Sequence, residues 1–257
     1  MASDAATATL TAPPVRLDRP ALFLDMDGVL APFAPTPEAV VPVARRTAVL
    51  RLLDQRLGGR MAIVSGRSLS EIDRISDSSA RSASGVHGLE RRRRDGSLQT
   101  AKAAPGVRAA IAAFHTFAAD RPGVIVEDKG VSAGLHFRQA PDVAHEAAVL
   151  ARQLVAETGL ALQAGDMVLE LKTPGATKGT AITAFMAEPP FAGSIPVMLG
   201  DDLTDEDGFK AAAALGGFGV LVGPERETAA RWRLEDVDAV LDWLEAVAEA
   251  QKDVVNA

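Results

Sequence analysis

The chain has 257 residues, 47% of them hydrophobic, so it is long enough for one or two domains and can bury a full core. Its 34 acidic and 27 basic residues give a net charge of −7, which argues against nucleic acid as the main partner. The chain contains no cysteine, which excludes disulfides and thiolate-bound metals. No apolar run approaches the ~18 residues of a membrane span.

Residues 1–20 are rich in Ala, Thr and Pro and lack a basic start followed by an apolar block. We interpret them as a flexible N-terminal leader and predict a cytoplasmic location for the protein.

Short apolar strands alternate with helical patterns in both outer parts of the remaining chain. The strand candidates are "ALFLDMD" (21–27), "RMAIVSG" (60–66), "IPVMLGDD" (195–202) and "FGVLVG" (218–223). The helix candidates cover 38–59, 68–76, 178–188, 205–217 and 237–251. This alternation is typical of an α/β fold with a parallel sheet covered on both faces, so we predict a Rossmann-like core.

The middle of the chain breaks this rhythm. Between Pro105 and Lys172 the pattern is helix–strand–strand–helix–strand–strand, which predicts an antiparallel sheet with helices on one face. We therefore predict an inserted α+β cap domain (αββαββ) at 105–172, within a catalytic core formed by 21–104 and 173–257.

Polar residues lie at three predicted strand ends. They are Asp25 and Asp27, then Ser65, Gly66 and Arg67, and finally Asp201 and Asp202 with Asp205. Ligands of open parallel sheets bind beyond the carboxyl ends of the strands, so these residues are candidates for one site. Clustered carboxylates repel one another, and hard oxygen ligands without Cys or His favour Mg²⁺.

The candidate site also contains an anion-binding element. Ser65 and Gly66 lie where a strand meets a helix start, where a hydroxyl, main-chain N–H groups and the helix dipole favour phosphate. Lys178 precedes another helix and adds a positive charge. A metal, an anion cradle, a lysine and a spare carboxylate suit phosphoryl transfer, in which a carboxylate can be the nucleophile.

Four segments in chain order resemble the motifs of the haloacid dehalogenase superfamily of phosphatases: "DMDGVL", "VSGR", "ATKG" with Lys178, and "GDDLTDEDGF". Further segments, "SGVHGLE", "VEDKGVSAGLHFR", "LELKTPGATKG" and "ARWRL", resemble the trehalose-6-phosphate phosphatases, over residues 22–245. The resemblance implies Mg²⁺-dependent hydrolysis of trehalose 6-phosphate through an aspartyl-phosphate, in trehalose biosynthesis. It also implies a mobile cap and a functional link to the synthase that makes the substrate.

The resemblance implies a role for each acidic residue of the core. Asp25 would be the nucleophile that attacks phosphorus, and Asp27 would donate and accept the protons. Mg²⁺ would be bound by the carboxylates of Asp25 and Asp201 and the main-chain carbonyl of Asp27, with Asp202 or Asp205 acting directly or through water.

Two further sets of residues would bind the substrate. Ser65 and Lys178 would bind the phosphoryl group, and Gly66 and Arg67 belong to the same binding segment. In the cap, the residues that match sugar contacts of the family are Glu127, Lys129, Arg138 and Glu170. Carboxylates accept hydrogen bonds from sugar hydroxyls, and Lys and Arg donate to them.

Several alternatives stay open at this level. The protein could instead hydrolyse sucrose phosphate or mannosyl-phosphoglycerate, transfer the phosphoryl group as a mutase, or be a non-catalytic sugar-phosphate sensor. Residues 91–94 are four arginines before the turn signal Asp95-Gly96, and we interpret them as a solvated hairpin rather than a region that steers substrate. We interpret His87 and His136 as hydrogen-bonding residues outside the catalytic set.

Overall fold

The computed structural model of the chain describes residues 10–251. Its strands are β1 Pro20–Leu24, β2 Met61–Val64, β3 Ser82–Gly85, β4 Glu90–Arg92, β5 Leu98–Thr100, β6 Ile125–Asp128, β7 Ser132–His136, β8 Ala161–Gly165, β9 Val168–Lys172, β10 Ile195–Gly200, β11 Phe218–Val222 and β12 Trp232–Leu234. Its α-helices are α1 Ala44–Arg56, α2 Leu69–Ser76, α3 Gly106–Ala118, α4 Ala144–Thr158, α5 Lys178–Met186, α6 Glu206–Ala214 and α7 Val237–Ala250. None of these helices is long and apolar enough to cross a membrane.

An eight-stranded sheet forms the core, in the order β12-β11-β10-β1-β2-β3-β4-β5. The strands from β12 to β3 run parallel, whereas β4 and β5 form an antiparallel edge. In β1, Leu22 and Leu24 pack into the hydrophobic cluster on one face and Phe23 packs into the cluster on the other. A strand buried on both faces needs apolar residues at every position, which explains the run "ALFL". The predicted Rossmann-like α/β class is confirmed.

Two local differences from the sequence-based elements have simple causes. The helix predicted from residue 38 begins only at Ala44, after a short 3₁₀ turn at Pro37–Ala39, because Pro42 cannot donate a helical hydrogen bond. Strand β3 has the sequence SASG, which carries no hydrophobic signal, yet all four residues are buried between β2 and β4.

A second, four-stranded sheet is antiparallel, in the order β6-β7-β9-β8. Helices α3 and α4 share a hydrophobic cluster with Leu135 and with Leu169 and Leu171. Because side chains alternate along a strand, Glu170 lies on the opposite face of β9, away from these helices. All of these elements fall between residues 105 and 172, and the division into a core and a mobile cap at those positions remains a prediction.

The described part of the predicted leader is bound to the core rather than loose. The indole N–H of Trp243 donates to the carbonyl of Pro13 at 3.2 Å, and the amide of Gln251 donates to the carbonyl of Leu17 at 3.0 Å. Pro20 already belongs to β1. The expectation of a flexible leader is therefore corrected from residue 10 onward, and residues 1–9 lie outside the described part of the chain.

The arginine-rich segment forms the predicted hairpin, but its side chains are not simply solvated. Arg91 is buried, and both Arg91 and Arg93 pair with Glu188, at 3.0 and 2.7 Å. Arg92 pairs with Asp73 through two hydrogen bonds, and Arg94 pairs with Asp54. Each guanidinium thus holds the edge hairpin to another part of the core, and this pairing argues against a role in steering substrate.

Candidate active site

Asp25 lies directly after the central strand, at the carboxyl edge of the core sheet. Its main-chain N–H donates to Leu199 of β10, so the carboxylate is fixed between two neighbouring strand ends. The side chain is only 5% exposed. Its Oδ1 accepts a hydrogen bond from the N–H of Met26 at 2.7 Å, and its Oδ2 accepts one from Nζ of Lys178 at 2.6 Å.

Lys178 is the first residue of α5, where a capping box formed by Thr177 and Thr180 fixes the start of the helix. Its ammonium is buried and donates to Asp25 and, at 2.7 Å, to Asp205. The lysine is 153 residues from Asp25 in sequence, and the parallel sheet brings the two together as the motif order predicts. An ammonium at a helix N-terminus is well placed to receive a phosphoryl group.

Three carboxylates form a buried cluster: each of Asp25, Asp201 and Asp205 has an oxygen within 4.8 Å of the others. Gly28 permits this approach. Its φ is +73°, and a Cβ there would lie 2.3 Å from Oδ2 of Asp201. Any other residue at position 28 would push Asp201 away from Asp25. It would also have to adopt a backbone conformation that only glycine adopts easily.

The cluster carries more negative charge than its protein partners neutralise. Burial, followed by the charge of Asp25, raises the pKa of Asp201 to about 9. Burial likewise raises the pKa of Asp205 to about 8 even though Lys178 opposes it. Burial is also the largest influence on Asp25, whose pKa is raised despite the same lysine. Three carboxylates against one ammonium leave two charges, which a single divalent cation would balance, and oxygen ligands of this type fit Mg²⁺.

Asp202 and Asp205 occupy different positions relative to the cluster. Oδ2 of Asp205 accepts hydrogen bonds from the N–H groups of Asp201 and Asp202, at 2.9 and 3.2 Å, and so fixes the loop that carries Asp201. Oδ1 of Asp202 accepts from the N–H and hydroxyl of Thr204 and caps the short 3₁₀ helix Leu203–Asp205. Of the two, only Asp205 belongs to the three-carboxylate group found among the described residues.

Asp27 is held by Arg67. Nε and Nη2 of Arg67 each donate to one oxygen of Asp27, both at 2.8 Å, in a bidentate pair. The same guanidinium donates to Glu71 and to the carbonyl of Pro37. The sequence predicts Arg67 as a substrate ligand, but four of its five N–H donors bind protein acceptors, and two of these four bind the predicted proton carrier Asp27.

Ser65 and Gly66 form the loop after β2 that the sequence predicts to bind phosphate. Ser65 is 1% exposed, and its Oγ accepts a hydrogen bond from the N–H of Arg67 at 3.3 Å. Both residues line the same cavity as Asp25 and Lys178. The structure therefore brings the three predicted strand-end groups and the lysine to one place.

That cavity has a volume of about 610 Å³ and lies between the two sheets. Its lining includes the core residues already described, residues of the four-stranded sheet and its adjoining loops, and the loops at 32–37, 222–224 and 235–237. A volume in this range suits a ligand of disaccharide size.

Three of the four predicted sugar-binding residues form a charge network in the cavity wall. Nζ of Lys129 lies 3.0 Å from Oε2 of Glu170 and 3.4 Å from Oε2 of Glu127, and Glu127 also contacts Nε2 of His136 at 2.8 Å. Burial raises the pKa of Glu170, but Lys129 and then His87 outweigh it and hold that pKa below its ordinary value. Glu170 is therefore a buried, ionised acceptor.

Arg138 stands apart from this network. Its guanidinium pairs with Asp166 at 2.8 Å and lies 6.0 Å from the ring centre of Phe33, which also lines the cavity. It lines the cavity but contacts none of Glu127, Lys129 and Glu170 through an ion pair or hydrogen bond.

The sequence-based reasoning named His87 only as a hydrogen-bonding residue and did not name Phe33, yet both residues line the cavity. His87 lies against Gly66 and Glu170, and Phe33 presents a half-exposed ring. The flanking glycines of "GVHG" were a signal for a special backbone at His87. For Phe33 the signal was weaker: an aromatic residue in a proline-rich loop directly after a motif.

The chain is similar in sequence to known phosphatases over most of its length. The model of the trehalose-phosphatase family matches residues 23–238. The trehalose-6-phosphate phosphatase of Escherichia coli (strain K12) is 40% identical over 248 residues, which cover 95% of this chain and 92% of that protein.

Two solved structures show the same fold. The C-terminal domain of Candida albicans trehalose-6-phosphate phosphatase matches with a TM-score of 0.82 at 21% identity, covering 95% of this chain and 99% of that one. A phosphatase of the haloalkanoate (HAD) enzyme superfamily from Bacteroides thetaiotaomicron matches with a TM-score of 0.56 at 17% identity, covering 93% and 97%. The chain described here belongs to the trehalose-phosphatase family.

Proposed function

We propose that this protein hydrolyses trehalose 6-phosphate to trehalose and inorganic phosphate, with Mg²⁺ as cofactor. The observation that carries the proposal is the position of Asp25: a buried carboxylate, hydrogen-bonded to Lys178, among acidic groups at the floor of a disaccharide-sized cavity. The relative from Escherichia coli bears the name of this activity, and the segments that match the family include the cavity residues of both sheets.

In the first proposed step, an oxygen of Asp25 attacks phosphorus. The new O–P bond forms as the bond from phosphorus to the sugar oxygen breaks, and Asp27 gives its proton to that oxygen. Ser65 and Lys178 hold the phosphoryl oxygens in line. Mg²⁺, when bound by Asp25, Asp201 and the carbonyl of Asp27, would supply charge neutralisation and keep Asp25 ionised.

In the second step, Asp27 takes a proton from water, whose oxygen attacks phosphorus and breaks the bond to Asp25. Each oxygen of Asp27 accepts one hydrogen bond from Arg67 in this structure, which leaves a second lone pair on each oxygen for the proton that Asp27 carries.

A panel of sugar phosphates, assayed with and without EDTA, tests the proposal. We expect phosphate release from trehalose 6-phosphate that is abolished by EDTA and restored by Mg²⁺. Comparable turnover of glucose 6-phosphate, sucrose phosphate or mannosyl-phosphoglycerate would contradict the substrate assignment. Reaction in H₂¹⁸O separates hydrolysis from transfer to a second sugar, because only hydrolysis places solvent oxygen in the released phosphate.

Replacing Glu170 with Ala is expected to lower kcat/KM for trehalose 6-phosphate at least ~30-fold while changing turnover of 4-nitrophenyl phosphate less than ~3-fold. Only the sugar substrate needs the cap network, of which Glu170 is the buried acceptor. Glu146→Ala, which removes an exposed cap carboxylate paired with Arg121, is the matched control. Equal losses on both substrates would remove Glu170 from the sugar site.

We also propose that the protein works in the cytoplasm beside the enzyme that makes its substrate. The phosphatase consumes the product of the synthase. If the two enzymes lie close together, the phosphorylated sugar does not accumulate between the two reactions. Co-purification of the two enzymes from native cells would measure this link, and separate elution at physiological salt would argue against a stable complex.

A further inference from the structure

His87 belongs to a segment with an unusual backbone. Val86 and His87 have φ angles of +47° and +52°, in the left-handed region that non-glycine residues rarely adopt. Two consecutive residues of this kind, one of them β-branched, persist only where surrounding contacts enforce them, and such sites cluster at ligand-binding positions. The segment is the short 3₁₀ helix Val86–Gly88, which follows β3.

This backbone places the imidazole between the phosphate-binding loop and the cap. A Cβ on Gly66 would lie 2.6 Å from Nε2 of His87, so the ring packs directly on the loop, and only glycine leaves room for it. On the other side, Nε2 lies 3.6 Å from Oε2 of Glu170. The side chain of His87 is 12% exposed.

Two polar atoms of this group have no hydrogen-bond partner among the described residues, although both are buried: Nδ1 of His87 and Oε1 of Glu170. The other carboxylate oxygen of Glu170 is the one that faces both Lys129 and His87. Both atoms are enclosed by protein, and the hydroxyl of Ser132 also lies close enough to Glu170 to help lower the pKa of its carboxyl group. Surrounding side chains therefore fix the orientation of Glu170 within the cavity wall.

The protonation of His87 follows from its surroundings. Burial lowers the pKa of His87 and outweighs the opposing effect of Glu170, and the nearby Lys178 and Lys172 lower it further. A neutral imidazole has one N–H, and the nitrogen that faces a carboxylate is the one that carries it. A neutral His87 can therefore turn its N–H toward Glu170, 3.6 Å away, without adding a charge that would compete with Lys129.

We propose that His87 is a positioning residue for the sugar: it orients the carboxylate of Glu170 in the cavity wall, where a substrate hydroxyl would bind, and it ties that orientation to the phosphate loop. The inference deepens the proposed function and rests on it. Lys129 supports the same connection, since its Nζ donates both to Glu170 and, at 3.0 Å, to the carbonyl of Gly66. The cap acceptor and the phosphate loop are thus joined through two side chains that meet at one glycine.

The test compares His87→Asn with His87→Gln. Asn tolerates the left-handed backbone but is too short to reach Glu170, whereas the amide nitrogen of Gln occupies the position of Nε2. With Asn we expect kcat/KM for trehalose 6-phosphate to fall at least ~10-fold, mainly through KM, and turnover of 4-nitrophenyl phosphate to stay within ~2-fold. Gln should recover most of the loss. His115→Asn, on the exposed face of α3, is the control.

A double variant separates positioning from a general structural role. If His87 acts through Glu170, then His87→Asn should have no further effect in a Glu170→Ala background. Additive losses, equal losses on both substrates, or no loss at all would overturn the proposal. Should the wild-type protein prefer another sugar phosphate, the same comparison is made with that substrate, so a wrong substrate assignment and a wrong role for His87 give different results.

Discussion

Replacing Asp25 with Asn is expected to lower kcat for trehalose 6-phosphate by about 10⁴-fold or more, because the amide cannot attack phosphorus. The fold should survive, since Asn has nearly the same volume and keeps an acceptor oxygen for Lys178 or the N–H of Met26. Phosphate release under single-turnover conditions measures the effect, and unlike the Glu170 variant, the loss must extend to 4-nitrophenyl phosphate.

A cap aspartate supplies the control for this variant. Asp142 is exposed at the start of the short 3₁₀ helix Pro141–Val143, and its change to Asn should leave kcat unchanged. Circular dichroism and thermal unfolding of both variants establish that the fold is retained. Activity of Asp25→Asn within ten-fold of wild type would exclude Asp25 as the nucleophile.

Asp201→Asn is expected to have opposite effects on activity and on stability. Activity should fall at least ~100-fold, because a carboxylate that would bind the cation is lost. In EDTA at pH 8, however, the variant should be more stable than the wild type. The folded Asp201 has a pKa of about 9, whereas an unperturbed aspartate has a pKa of 3.8, so the folded wild type binds an extra proton between these pH values. Its unfolding free energy therefore falls as pH rises through that range, and the amide removes this loss.

Urea denaturation at pH 5 and pH 8, with EDTA and with excess Mg²⁺, checks the second prediction. Mg²⁺ should stabilise the wild type by mass action, more strongly at pH 8, and should stabilise the variant much less. If the unfolding free energies of metal-free wild type and Asp201→Asn change identically between pH 5 and pH 8, the charge of Asp201 does not destabilise the folded protein.

The residues at the strand ends of the site were predictable because local sequence patterns identify the strands. Buried parallel strands appear as continuous apolar runs, and their carboxyl ends share one edge, so Asp25, Ser65 and Asp201 had to lie near one another. The cap acceptor Glu170 was predictable for a related reason: a carboxylate in an apolar strand requires partners, and Lys129 is one of them.

The remainder depends on long-range contacts that no local pattern specifies. The pairing of Arg67 with Asp27 joins positions 40 residues apart, and the contact of His87 with Glu170 joins two sheets. The burial of the small, polar β3 follows from its neighbours rather than from its own sequence. The arginine hairpin was correctly placed as a turn, but which carboxylate each guanidinium would meet depended on the positions of Asp54, Asp73 and Glu188.

The contacts of Trp243 and Gln251 with the carbonyls of Pro13 and Leu17 have a practical consequence. A shortened protein that starts at β1 would deprive the last helix of these acceptors and uncover the indole ring. Removal of the amino-terminal residues should therefore loosen the carboxyl-terminal helix that packs against them, and a fused tag is better placed before residue 10.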